Sequence, residues 1–205
     1  MTGKNSITGN HKYKMPGRIL LCSPYTSIIN QAVYDTWHSN DKGPKLFSHS
    51  NIENFIESLK NSDDETIPFN YEKTLKGKDL PKEEELVVFT TYNQILNITF
   101  EELATLEYIV IDESHSLSDG LGYRADIIAE VIHYLIEFIR RKAKAKTKII
   151  FMSGTPNVET HVVQDLLQEY KLDHLYQRVI VNKKYKTFAN TVYNSLLFSV
   201  FLRKS

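Results

Sequence analysis

The stretch EYIVIDESHSLSDG, Glu107 to Gly120, runs four consecutive apolar residues, Tyr108 to Ile111, straight into two adjacent carboxylates, Asp112 and Glu113. An apolar run without alternation is what a strand buried on both faces requires. Strands of that kind belong to parallel sheets covered by helices. Acids at the tip of such a strand stand at its carboxyl end, the edge where ligands of open α/β sheets collect. There one carboxylate can hold a hydrated Mg2+ while the other orients or polarises a water. The plainer reading is that the acids cap the turn that follows.

Outward from this stretch the same pattern recurs. Arg18 to Cys22, Leu86 to Phe89, Lys148 to Met152 and Arg178 to Val181 are short, uninterrupted apolar runs and read as buried strands. Helical spacing lies between them. Ile28, Ile29, Ala32, Val33 and Trp37 predict a helix over Ser27 to Trp37. Thr99 with Glu102 predicts a capping box opening a short helix. The longest helix is expected over Tyr123 to Arg141, ending in basic residues as the helix dipole favours. Another is expected over Glu159 to Tyr170. Strand alternating with helix predicts an α/β, mostly parallel fold. Residues 39–85 read as a surface excursion holding one helix, Asn51 to Lys60. The apolar tail from Asn190 has no evident partner.

Composition bounds the function. Lys and Arg equal Asp and Glu at 25 each, so the total charge does not advertise nucleic acid, although a local basic strip would serve. The basic run RRKAKAKTK, 140–148, has the makings of a phosphate contact. It reads better as a helix terminus plus solvated loop, at the edge opposite the acids. The single cysteine, Cys22, sits in an apolar run, which excludes an internal disulfide framework and predicts a buried thiol. The first 18 residues are polar and basic, unlike a cleavable signal, and Leu196 to Leu202 is too short to cross a bilayer. A cytoplasmic location, or the host cell interior for a viral protein, is the expectation.

A second strand end sharpens the reading. Lys148 to Met152 finishes in Ser153-Gly154-Thr155-Pro156, so two buried strands end in polar residues at one edge. Together VIDESH and FMSGTP resemble motifs II and III of superfamily 2 helicases of the DExH group. LLCSPYTSIINQ is similar to motif Ia, and VVFTTYNQI to the strand-end threonine motif that touches the nucleic-acid backbone. The resemblance spans residues 18–182. It implies a RecA-like, P-loop NTPase-type parallel sheet flanked by helices, the first of two motor domains, with ATP and Mg2+ as cofactors and DNA or RNA as partner.

By that resemblance Asp112 would bind Mg2+ through water, Glu113 would activate the attacking water, and His115 would relay the γ-phosphate state. Ser153, Gly154 and Thr155 would couple hydrolysis to movement. Ser23, Pro24, Thr26, Thr90 and Thr91 would meet the nucleic acid. The threonines and serine can equally serve as helix caps. Gly3 and Lys4 would be the tail of a P-loop, but its earlier glycine and preceding strand are missing, and Asn5 stands where the Mg2+-binding hydroxyl belongs. Residues 1–17 then read as a polar N-terminus or a P-loop remnant, 18–182 as the motor domain, and 183–205 as an extension or the start of a further segment.

Motif Ia also lacks its usual arginine, since Tyr25 and Thr26 follow Pro24. Nothing after residue 182 resembles the second RecA-like domain. In the family fold the P-loop strand lies between the motif III strand and the next. Its loss predicts a gap, or re-pairing, between Lys148–Met152 and Arg178–Val181, and a chain that is part of a longer protein. Two rival readings stay open. One is a nucleotide-independent binding or scaffolding module on the motor fold. The other is an unrelated α/β enzyme using the acid pair with another Mg2+ substrate.

Overall fold

A computed structural model describes residues 17–37, 44–60, 71–76, 79–112, 114, 125–142, 144–153, 158–186 and 191–201. The strands are β1 (Arg18–Ser23), β2 (Lys45–Ser48), β3 (Tyr71–Thr74), β4 (Leu86–Thr91), β5 (Tyr108–Ile111), β6 (Lys148–Ser153), β7 (Tyr176–Lys186) and β8 (Thr191–Phe201). The helices are α1 (Thr26–Trp37), α2 (Glu53–Lys60), α3 (Tyr92–Ile95), α4 (Phe100–Leu103), α5 (Ala125–Arg141) and α6 (Val158–Glu169).

The strands form one sheet in the order β3-β2-β4-β1-β5-β6-β8-β7. From β3 to β6 every neighbouring pair is parallel. The uninterrupted apolar strands follow from burial on both sides. Leu20, Val88, Ile109, Ile111 and Phe151 pack on one face with Ile95 of α3, Leu103 of α4 and Val131, Leu135 and Phe138 of α5. Ile19, Leu21, Val87, Val110 and Met152 pack on the other with Ile29 and Val33 of α1 and Ile56 of α2. With period two along each strand, neither face could be polar.

Three expectations are corrected. Residues 39–85 are more than a surface excursion, because β2 and β3 extend the sheet and Leu46 and Phe47 are buried. The tail does have a partner. β8 runs antiparallel to β6, pairing Ile149 with Phe201 through Ser153 with Leu197, and β7 pairs with β8. Of the gap or re-pairing expected between β6 and the strand holding Arg178 to Val181, the structure has the re-pairing, with β8 between them. An edge of apolar β6 left unpaired would expose its peptide groups, which is costly. Finally, the capping box is half made. Thr99 Oγ1 accepts from the Glu102 amide at 3.3 Å, while Glu102 Oε2 accepts from the amide of Leu80 at 3.0 Å.

The amino edge of the sheet is fastened by Arg18. Its Nη1 donates to the carbonyls of Pro81 and Glu83, both at 2.7 Å, and its Nε to that of Thr105 at 3.1 Å. The basic run lies at this same edge. Arg140 and Arg141 pair with Glu137, and Lys142 with Glu101.

Candidate functional site

Because β4, β1, β5 and β6 are parallel neighbours, their carboxyl ends meet along one edge. Ser23 registers with Thr91, Cys22 with Ile111, and Ile111 with Phe151. Strands stand about 4.8 Å apart, so Thr91, Ser23, Asp112 and Ser153 lie within roughly 15 Å along the edge. Sheet geometry alone thus gathers residues spread over 130 positions of sequence.

Asp112 is the best-anchored member. Its amide donates to the Cys22 carbonyl at 2.8 Å, continuing the β1–β5 ladder by one residue. Its own carbonyl accepts from the buried Tyr92 hydroxyl at 2.7 Å. The residue is 4% exposed. Its carboxylate acts on the neighbouring thiol: Cys22 is pushed well above the ordinary thiol range, first by burial and second by the Asp112 charge. A buried carboxylate held at a fixed main-chain position is a rigid place to receive a cation.

The remaining residues differ in access. Ser23 is fully buried, and its Oγ has no hydrogen-bond partner. Pro24 is buried and Thr26, opening α1, is exposed. Thr90 is fully buried with its hydroxyl 3.5 Å from the Thr91 carbonyl, so it does not face solvent. Thr91 is half-buried and stands at the N-cap of α3 with extended backbone, but makes no side-chain capping bond. Ser153 ends β6 opposite Leu197. Gly3, Lys4, Glu113, His115, Gly154 and Thr155 lie outside the described residues.

Three residues at this edge carried no signal in the sequence. Tyr92 follows the threonine pair as an ordinary aromatic, and only the fold reveals its bond to Asp112. Ser114, 2% exposed, is packed directly beyond the acids. His49 follows β2 beside them, its amide donating to the Phe89 carbonyl at 2.9 Å.

Among the described residues no group of three or more His, Cys, Asp or Glu could hold a metal. A cage built from protein alone is thus not formed there. One buried carboxylate does suit Mg2+, which keeps most of its water and is commonly held by one or two carboxylates plus substrate phosphates.

The model of the DEAD/DEAH box helicase family matches residues 7–163. The chain belongs to the DEAD/DEAH box helicase family. The match takes in this helicase domain from before β1 into α6, including all four strand ends, and stops short of β7 and β8. Family membership carries ATP use and nucleic-acid binding at the level of the family. No curated protein matches the domain. Among solved structures, the precorrin-6Y C5,15-methyltransferase of Geobacter metallireducens GS-15 is 12% identical at a TM-score of 0.38, over 92% of this chain and 81% of that one. A putative precorrin-6Y C5,15-methyltransferase domain from Corynebacterium diphtheriae is 9% identical at 0.35, over 93% and 89%. Superpositions that loose bear on neither fold nor activity. No helix among the described residues of the helicase domain is long and apolar enough to cross a membrane.

Proposed function

We propose that the chain is the first motor domain of an ATP-dependent helicase or translocase acting on DNA or RNA. The observation that carries this is the buried Asp112, held at the carboxyl edge between strands that end in Ser23 and Ser153. In this reading Asp112 holds Mg2+ through water, and the ion, when bound, neutralises charge on the phosphates of ATP. Glu113 takes the proton of the attacking water. Ser153, Gly154 and Thr155 with His115 transmit the state of the nucleotide. Thr26 and Thr91, the two candidate threonines with access, meet phosphate oxygens of the nucleic acid. Thr90 and Ser23 support them from beneath. In the full-length protein, Glu113→Gln should abolish nucleic-acid-stimulated ATP turnover while sparing ATP binding. Retained turnover would overturn the assignment.

One observation favours a second reading, a nucleotide-independent nucleic-acid-binding module. β8 occupies the place beside β6 where the family's P-loop strand is expected, and no described residue supplies a phosphate cradle. Titrating the chain with a fluorescent ATP analogue separates the two. Saturable binding lost in Asp112→Ala supports the motor; absence of binding beside intact nucleic-acid affinity supports the module.

A further inference from the structure

The β7–β8 hairpin is longer than the sheet it completes. Leu197 of β8 stands opposite Ser153, the last residue of β6, and Ile180 of β7 stands opposite Leu197. Beyond that level the ladder continues through Val181–Leu196, Asn182–Ser195, Lys183–Asn194, Lys184–Tyr193, Tyr185–Val192 and Lys186–Thr191. β8 is antiparallel to β6, so these six pairs run past the carboxyl ends of the parallel strands. At about 3.3 Å per residue they project roughly 20 Å beyond the edge where Asp112, Ser23 and Thr91 stand.

The projecting arm is chemically distinct. Three lysines, Lys183, Lys184 and Lys186, fall within four positions around Tyr185. From Tyr176 to Ser205 the sequence holds six Lys and Arg and no Asp or Glu. Since the whole chain is neutral, the rest of it is negative by the same six charges. Three of those six, Lys183, Lys184 and Lys186, lie on the projecting pairs, and basic residues clustered on one arm of an otherwise acidic chain are the electrostatic footprint of a polyanion contact.

We infer that the β7–β8 hairpin is a nucleic-acid-binding arm, its Lys183-Lys184-Tyr185-Lys186 segment engaging the phosphate backbone where the strand leaves the Thr91–Ser23 edge. This rests on the nucleic-acid reading proposed above and extends it to a segment outside the family match. The contact is to backbone phosphates, so it acts on DNA and RNA alike and carries no sequence preference.

The test is fluorescence anisotropy of the full chain with labelled single-stranded and duplex DNA and RNA, from about 50 to about 200 mM salt. Lys183→Ala/Lys184→Ala/Lys186→Ala should weaken binding about tenfold or more at low salt. It should also flatten the slope of log Kd against log salt by about 2 to 3. Lys186→Ala alone, too slight a change to unfold the hairpin, should flatten it by just under about 1. The triple Lys→Arg variant should bind like wild type. Lys144→Ala/Lys146→Ala, exposed at the opposite edge, should change nothing; an equal loss there would overturn the arm in favour of unspecific charge. Wild-type binding with an unaltered triple Ala variant would sink the hairpin's role alone. A wild-type chain that binds no nucleic acid at about 50 mM salt would overturn the underlying reading as well.

Discussion

The Tyr92 hydroxyl donates a buried hydrogen bond of 2.7 Å to the main-chain carbonyl of Asp112, linking residues 20 apart in sequence. Tyr92 begins α3 directly after the strand-end threonines, so this bond ties the proposed nucleic-acid edge to the proposed Mg2+ ligand. Tyr92→Phe would leave a buried carbonyl without that donor, a loss of about 1 to 3 kcal/mol. Thermal melting should show the destabilisation, and Kd for Mg2+-ATP in the full-length protein should rise. A variant as stable as wild type would show that the bond contributes nothing.

Cys22 provides a reporter of the same site. Burial, reinforced by the Asp112 charge, pushes its thiol up, so little thiolate exists at neutral pH. A disulfide reagent such as DTNB should react slowly with the folded chain and rapidly in denaturant. Asp112→Asn removes the smaller cause and leaves the larger, so the thiol should stay protected in that variant. Fast labelling of Asp112→Asn would mean that the substitution has opened the β1–β5 junction.

Much of the parallel sheet was legible because burial on both faces forces a composition. Tyr108 to Ile111 and Leu86 to Phe89 admit hardly any other reading. β2 and β3 were not, since four residues among polar neighbours give no period to read. β8 is apolar in sequence, but its pairing with β6 links residues some fifty positions apart, and register at that range is not a local property. Glu102 shows the same limit at short range, where a carboxylate suited to capping its own helix is drawn to Leu80 instead. At the site, strand ends could be placed in one line from order alone. Which hydroxyls have access could not, and Thr90 and Thr91 differ for the reason that neighbours on a strand face opposite ways.

Gly17 is the position where backbone conformation demands its residue. Its φ is +90°, and a Cβ there would lie 2.6 Å from Cδ of Glu107 and 2.8 Å from its Oε2. That carboxylate accepts from the Arg18 amide, so it cannot withdraw without losing the bond. Gly17→Ala should therefore destabilise the fold by about 1 to 3 kcal/mol. The urea midpoint measures it, and an unchanged midpoint would contradict the close approach.

His49 makes the fold sensitive to acid. Both ring nitrogens are buried without a hydrogen-bond partner, and burial lowers the pKa from its ordinary 6.5. The unfolded chain takes up the proton first as pH falls through 6.5, while the folded ring resists until a lower pH. Stability is therefore complete above 6.5, falls below it, and is lost from this source once pH passes the folded value. Glu101 and Glu137 act in a lower window. Hydrogen bonds from Lys142 and from Arg140 and Arg141 lower them from 4.5, so their contribution fades only as pH drops below that. Among the described groups with a shifted pKa, His49 is the one that acts between about pH 7.5 and about pH 5.5. His49→Leu should melt at a temperature that varies less across this interval than wild type does. Parallel curves for the two proteins would show that the ring finds a partner, or solvent, at little cost.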